Sequence, residues 1–373
     1  MPPLLSAIAL AALCALPVAL LARRRPLRAR WLALPPALYL LSLALYVTAL
    51  HLRQHTRWAR PTSGDLGEFA AASFTLYGFG VIFPALALTV VAPWLARRGR
   101  PRASLALTAA SLAAALTTAW ALFVEPATLV EREYHLRSPR APAGGLVILH
   151  LSDLQTDGPC RRERLALAAI ARRPTPDLVL FTGDLANGPD DAPPPGERAR
   201  AVREFLSALR ARHGVYGVLG DWDRGGRRWE RRVASLVRGT SMRMLSGASV
   251  TVEVRGAPVT VYGIDELSAG PVRAMRALPG YRIFMAHHPD RVVERLPPDG
   301  ADLALAGHTH GGQVSLPLIG APVVHNGHGF TGGLYQQEGI PFVISRGIGM
   351  RGGAAPRVRF NVPPEIGWIT VTR

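Results

Sequence analysis

The chain opens with long apolar stretches and then changes rhythm. Four runs lack any acid or base in their interiors: Leu4–Ala22, Trp31–Leu50, Phe74–Ala96 and Ala103–Val124. Each is close to the ~20 residues that carry a helix across a bilayer. Pro17, Pro35, Pro36, Pro84 and Pro93 fall inside them, which bundled membrane helices tolerate better than soluble ones. A soluble bundle would also need polar faces, which these runs lack. The pattern therefore predicts four N-terminal transmembrane helices over residues 1–124 and a Pro-containing linker over 125–144.

From Leu146 onward the runs shorten. Leu146–Leu151, Asp177–Phe181 and Val215–Leu219 read as buried strands, with helices expected at Arg161–Arg172 and Glu197–Arg212 between them. This β-α-β-α-β order favours a parallel sheet with helices on its faces. A strand-rich portion follows: Ser249–Val254, Val259–Gly263, Tyr281–Ala286, Asp302–Ala306, Phe342–Ser345, Val358–Asn361 and Ile366–Val371. An α/β domain over 145–373 is expected.

Composition sharpens the membrane reading. The 373 residues are 49% hydrophobic and only 18% charged, with mean hydropathy +0.16, against about 25% charged in ordinary soluble chains. That content and two cysteines exclude disorder and a disulfide scaffold. The net charge is +17, all 43 basic residues being arginine. This uniformity points to genome-wide compositional bias, so nucleic-acid binding is not expected from charge. The arginines are unevenly placed. Arg23, Arg24, Arg25, Arg28 and Arg30 follow the first run, and Arg97, Arg98, Arg100 and Arg102 follow the third. Positive-inside counting puts both loops in the cytoplasm, and hence the α/β domain on the outer face of the cell (inner) membrane.

The expected strands end in chemistry. Their carboxyl ends deliver Asp153 and Gln155, then Asp184, then Asp221, then His287, then His308 and His310. Sites in such sheets gather at carboxyl ends of strands. A lone carboxylate or imidazole there is usually a cap, but five successive strand ends make a site. Mixed Asp and His donors suit Mn, Fe or Zn.

The run Gly307-His308-Thr309-His310-Gly311-Gly312, with Gly183-Asp184 and Gly220-Asp221-Trp222-Asp223 before it, resembles the calcineurin-like metallophosphoesterases over about residues 145–373. Ser345-Arg346-Gly347-Ile348-Gly349 followed by Pro364-Glu365-Ile366 is similar to their membrane-anchored branch. The resemblance implies a four-layer αββα sandwich around two mixed sheets and two divalent or trivalent metal ions. It places Asp153, Gln155, Asp184 and His310 at the first metal and Asp184, Asp221, His287 and His308 at the second. Asp184 is the shared bridge, and Asp184, Asp221 and His308 are the catalytic core.

This chain departs from the family pattern at three places. Gln155 stands where the family has His, Asp221 where it has Asn, and Trp222 where it has a His that assists the leaving group. Trp222 and Arg224 become candidate substrate contacts, and His288, His325 and His328 candidate replacements for the missing acid. The implied activity is hydrolysis of a phosphate ester or diphosphate by metal-activated hydroxide, on a phospholipid-like, isoprenoid-linked or other envelope substrate. The alternative is a non-catalytic metal-binding sensor or scaffold with a degenerate site.

Overall fold

The computed structural model describes residues 83–156, 160–187, 196–223, 229–265, 272–351 and 357–373. Val124–Gly353 together with Arg357–Arg373 form one compact unit, and the helical segment up to Phe123 belongs to another. In the helical unit, turns over Phe83–Leu86, Ala87–Val91 and Ala92–Arg97 precede helix Pro101–Ala119. The hydroxyl of Ser104 donates to the Ala92 carbonyl at 2.7 Å, tying these segments together. Among the described residues one helical stretch, Pro101–Ala127, is long and apolar enough to cross a membrane, with a hydropathy of 1.7. It covers the fourth expected span. The first and second spans, and the third up to residue 82, lie outside the described residues.

The second unit contains two six-stranded sheets. The first has the order β1 (Val130–Arg137), β12 (Glu365–Thr372), β2 (Leu146–Leu151), β3 (Leu178–Phe181), β4 (Val215–Gly217), β5 (Met242–Met244). Strands β2 to β5 run parallel, and β12 is antiparallel to β2. The second sheet has the order β10 (Gly333–Gln337), β11 (Ile340–Ile344), β9 (Leu303–Ala306), β8 (Tyr281–Met285), β7 (Ala257–Gly263), β6 (Ala248–Val254). Its outer pairs are antiparallel and its inner pairs parallel. Both sheets are therefore mixed.

Strand alternation sorts the core into three layers of contact. Leu146 and Ile148 of β2 and Leu178 and Leu180 of β3 pack against Val259, Val261, Ile283 and Leu303 of the second sheet. The other face of the first sheet, with Leu149, Val179 and Phe181, is covered by Ala166 and Ala169 of helix Arg161–Ala171, by Val202, Phe205 and Leu206 of helix Gly196–Ala208, and by Leu236 of helix Trp229–Val237. The far face of the second sheet, with Phe284, Ala304 and Phe342, meets Met275 and Val292. Val292 lies on helix Pro289–Arg295. The layering is α/β/β/α.

Two expectations need correction, and two strands are additional. Residues 125–144 are not simply a linker, because Val130–Arg137 forms β1 along the whole length of β12. Its sequence Val-Glu-Arg-Glu-Tyr-His-Leu-Arg is mostly polar, as suits an edge strand that buries only Leu136 fully. Val358–Asn361 is not a strand: Phe360 makes only an isolated bridge to Val314. Its Arg359 is instead turned wholly inward, a placement that alternation of apolar residues does not anticipate. Strands β5 and β10 were not anticipated; β5 has three residues and β10 has Gln336 and Gln337 among its five.

Candidate metal centre

The parallel strands end at one edge, and the expected ligands meet there. Two groups form, each with its donor atoms within 4.8 Å of one another: Asp153, Asp184 and His287, and Asp221, His287 and His308. His287 belongs to both. Its Nε2 lies 2.9 Å from Asp221 Oδ1, 3.5 Å from Asp184 Oδ2 and 3.1 Å from His308 Nδ1. His310 stands beside the first group, with Nε2 3.3 Å from Asp153 Oδ1. Gln155 joins it too, its amide nitrogen donating to Asp184 Oδ2 at 2.7 Å.

The backbone is bent to achieve this. Asp153, Gln155, Asp184, His308 and His310 all have positive φ, between 36° and 68°. Left-handed backbone is uncommon outside glycine and gathers at functional sites, where surrounding structure compensates the strain. Close approach makes glycine necessary at two positions. A Cβ on Gly220 would collide with the Asp184 carboxylate, and one on Gly307 with the Ser152 hydroxyl.

Partners behind the cluster fix each donor. The carbonyl of Thr182 accepts from His287 Nδ1 at 2.6 Å, which leaves Nε2 facing the cluster. Asp153 Oδ2 accepts from the Ser152 hydroxyl at 2.5 Å and from the His308 backbone N–H at 3.0 Å. Trp222 donates its backbone N–H to Asp184 Oδ1 at 3.1 Å, and the residue is half-buried.

The charges are costly as they stand. Burial, with the nearby charges of Asp221, Asp153 and Asp223, pushes the Asp184 carboxyl well above its ordinary range against the pull of His287. Burial raises Asp153 as well. Desolvation works against charge on Asp221 too, but hydrogen bonds from His287 and His308 hold it well below the usual carboxylate value. Burial opposes a charged His287, yet Asp184, Asp221 and Asp153 hold that imidazole well above its ordinary value. His308 is pushed by burial down to about 4.

The donors fit a cation. Asp153 Oδ1, Gln155 Oε1 and His310 Nδ1 are buried without a hydrogen-bond partner, and buried polar atoms are rarely left so. Carboxylate, amide and imidazole donors packed together are a set that divalent transition metals accept. A cation would also offset the buried carboxylates that otherwise resist ionisation.

Sequence reasoning overlooked several supports. Asp223 is fully buried and accepts three backbone N–H groups, from Asp184 at 2.8 Å, Leu185 at 2.9 Å and Gly220 at 3.0 Å. Its place as the last residue of Gly220-Asp221-Trp222-Asp223 was the available signal. Asn187 donates to the Gln155 carbonyl at 2.6 Å and so braces that bend. Arg359, fully buried, donates to the carbonyls of Arg346, Gly347, Gly349 and Val362. The loop it gathers sits on Asp153, where the Gly349 N–H reaches the Asp153 carbonyl at 2.6 Å.

The remaining candidates are dispersed. Arg224 lies outside the described residues. His288 accepts from the Asp290 N–H at 3.3 Å, and its ring centroid lies 4.1 Å from that of His308. His328 is linked through Nδ1 to Asp290 Oδ1 at 3.0 Å. His325 is half-buried in the same loop.

Comparison with known proteins gives the same direction. Residues 146–312 match the calcineurin-like phosphoesterase family. The uncharacterized metallophosphoesterase YkuE of Bacillus subtilis is 28% identical over 271 residues, covering 70% of this chain and 92% of that protein. The phosphodiesterase YaeI of Escherichia coli is 25% identical, covering 71% of this chain and 96% of that one. The UDP-2,3-diacylglucosamine pyrophosphatase LpxG of Chlamydia muridarum is 24% identical, covering 70% and 95%. With the two mixed sheets and the strand-end cluster of Asp and His, residues 146–312 are a calcineurin-like phosphoesterase domain, and the chain is a metal-dependent phosphoric ester hydrolase.

Proposed function

We propose that this hydrolase is membrane-anchored and acts on a lipid-linked phosphate ester or diphosphate at the outer face of the cell membrane. The observation that carries this reading is the pair of ligand groups sharing His287, with the half-buried Trp222 next in sequence to Asp221. In this reading residues 1–124 anchor the chain and residues 145–373 catalyse. Asp153, Gln155, Asp184 and His310 hold one divalent cation, and Asp184, Asp221, His287 and His308 hold a second. Gln155 would serve through its orphan Oε1 after a half-turn of the amide. When bound, such cations polarise phosphoryl oxygens and lower the pKa of water.

The chain's own residues then define the substrate. Trp222 has no proton to give near neutral pH, only an indole N–H hydrogen bond. Losing an acid at that place costs roughly 10²–10⁴-fold where the leaving group needs protonation. A diphosphate leaves without that help, and the apolar indole offers a surface for the substrate's organic part. The lipid element is supported by the apolar helix Pro101–Ala127 and by the substrate for which the LpxG relative is named, UDP-2,3-diacylglucosamine. The nine arginines of the first and third loops support outward orientation.

The test is a screen of the purified full chain, loaded with Mn, Fe or Zn, against lipid-linked diphosphates, phosphomonoesters, diesters and free nucleotides. Turnover concentrated on lipid-linked diphosphates is the expected result. Equal turnover of free nucleotides would overturn the lipid assignment. Metal binding without turnover of any class would overturn the catalytic one.

A further inference from the structure

The turn that carries His310 runs directly into a loop with an unusual surface. Residues 311–324 contain no charged side chain. Outside the apolar helical segment, Leu316, Leu318, Ile319, Val323 and Leu334 are the exposed large apolar side chains among the described residues, and four of these five fall in this loop. At its tip Leu318 and Ile319 are 109% and 74% exposed. Scattered single exposures are ordinary, but concentration into one patch marks a contact surface.

The tip is held in this posture. Leu316 and Gly320 exchange backbone hydrogen bonds of 2.8 and 2.9 Å, closing a tight turn around Pro317, Leu318 and Ile319. Leu318 has φ 69°, a left-handed conformation unfavourable for a bulky residue. Among the described residues no side chain covers it. At its base the loop is welded to the site. A Cβ on Gly312 would come within 2.6 Å of the Val323 carbonyl and 2.7 Å of Ala321 Cβ, so nothing separates the loop from the ligand turn.

The segment that pairs with the loop is rich in arginine. The loop's strand-like base pairs Ser315 and Gln313 with Phe360 through hydrogen bonds of 2.9 Å. The stretch 345–360 around that partner has Arg346, Arg351, Arg357 and Arg359 and no acid. Arg359 is buried and Arg346 lies 4.0 Å from Glu365, which leaves Arg351 and Arg357 as the outward charges of that stretch. An apolar tip with basic residues in the neighbouring segment is a pattern by which peripheral segments sit in an anionic bilayer interface. Only Thr128 and Leu129 separate helix Pro101–Ala127 from β1. The three links from Ala127 to Val130 reach at most about 11 Å, so on the membrane-anchored reading the chain enters β1 close to the lipid.

We propose that the loop 313–323 docks into the surface of an anionic lipid bilayer, with Leu318 and Ile319 as its anchors. Docking would hold the ligand turn at the lipid surface, where a headgroup-borne phosphate is presented. The inference rests on the membrane-anchored reading above but not on the identity of the substrate.

The test uses the full chain in nanodiscs of phosphatidylglycerol and phosphatidylcholine. With Cys14→Ser and Cys160→Ser in the background, Leu318→Cys is labelled with bimane and challenged with doxyl-labelled lipid. Glu338→Cys is the comparison, on the β10–β11 turn at the opposite end of its strands from the cluster. At least twofold stronger lipid quenching at position 318 is expected. Quenching by aqueous iodide alone at 318 would overturn the proposal. So would protection from both quenchers, which would place a protein on the tip. In parallel, Leu318→Ser with Ile319→Ser should reduce hydrolysis of a vesicle-embedded diphosphate at least fivefold. Hydrolysis of soluble bis(p-nitrophenyl) phosphate should stay within twofold. Equal loss on both substrates would make the loop part of the site and overturn docking. Strong lipid quenching at 318 with no hydrolysis of any lipid would support docking while removing the lipid-linked substrate.

Discussion

Asp223 accepts the backbone N–H of Asp184 at 2.8 Å, so one buried carboxylate fixes the backbone that aims another. Asp223→Asn would turn an amide N–H₂ toward backbone donors and leave at least one of three N–H groups unpaired. A loss of about 1–3 kcal/mol in stability is expected. Metal affinity should fall by roughly 10–100-fold, as for other residues that orient ligands. Thermal denaturation and metal titration of the same variant check both.

The ligand assignment makes an ordered prediction for metal content. Asp184→Asn should deplete both cations, His308→Ala mainly the one shared with Asp221, and His310→Ala mainly the one beside Asp153. Elemental analysis of the three purified variants is the measurement. Unchanged stoichiometry in all of them would dissolve the assignment.

Trp222→His places a titratable group beside the cluster and removes the indole surface. Hydrolysis of esters with poor leaving groups should rise by about 10-fold or more, within the range an acid supplies. Diphosphates and activated aryl esters should change little or slow. Gln155→His should separately lower the metal concentration needed for half-maximal activity. A uniform slowing of every substrate by Trp222→His would show that acid assistance is not what the site lacks.

His150 lies between the two sheets, wholly buried, with Nε2 3.0 Å from the Thr182 hydroxyl and Nδ1 unpartnered. Burial pushes it down to about 3. Because the folded value lies below the unfolded one, stability is complete above about pH 6.5. It declines as pH falls from there toward 3, where the folded group itself begins to charge. At pH 5 the loss attributable to this residue is about 2 kcal/mol. His150→Gln cannot take up that proton and should flatten the fall in melting temperature between pH 7 and pH 5.

Orientation can be read with a reporter that works only after export. Fused after Thr128, it should be active, and a cytoplasm-only reporter at the same junction silent. The reverse pattern would move the α/β domain, and its substrate, inside.

The site was largely legible because short runs such as Gly183-Asp184 and Gly307-His308-Thr309-His310 combine a ligand with the glycine its bend requires. Parallel strands then bring those ends together without further information. What the sequence hid was of another kind. Asp223 and Arg359 are charged residues satisfied by backbone groups, and a charge buried in this way looks the same in a sequence as a solvated one. Strand β1 was hidden because Glu131, Arg132, Glu133, His135 and Arg137 leave little apolar alternation, while β12 supplies its pairing from far along the chain. The four apolar runs are legible as composition, and among the described residues the stretch that covers the last of them, Pro101–Ala127, is long and apolar enough to cross a membrane.

Strand β12 lies between β1 and β2, with Trp368 paired to Glu133 on one side and to Leu149 on the other. Two early segments are thus joined only by a late one. During synthesis β1 and β2 emerge first and must wait, with an unpaired edge on each, until residues 365–372 arrive. Pairings so distant in sequence are slow to form and leave the chain open to wrong partners meanwhile. A chain translocated as a thread behind its apolar helices would meet this interval on the far side of the membrane, where assistance to folding, rather than the speed of synthesis, would limit how much active enzyme accumulates.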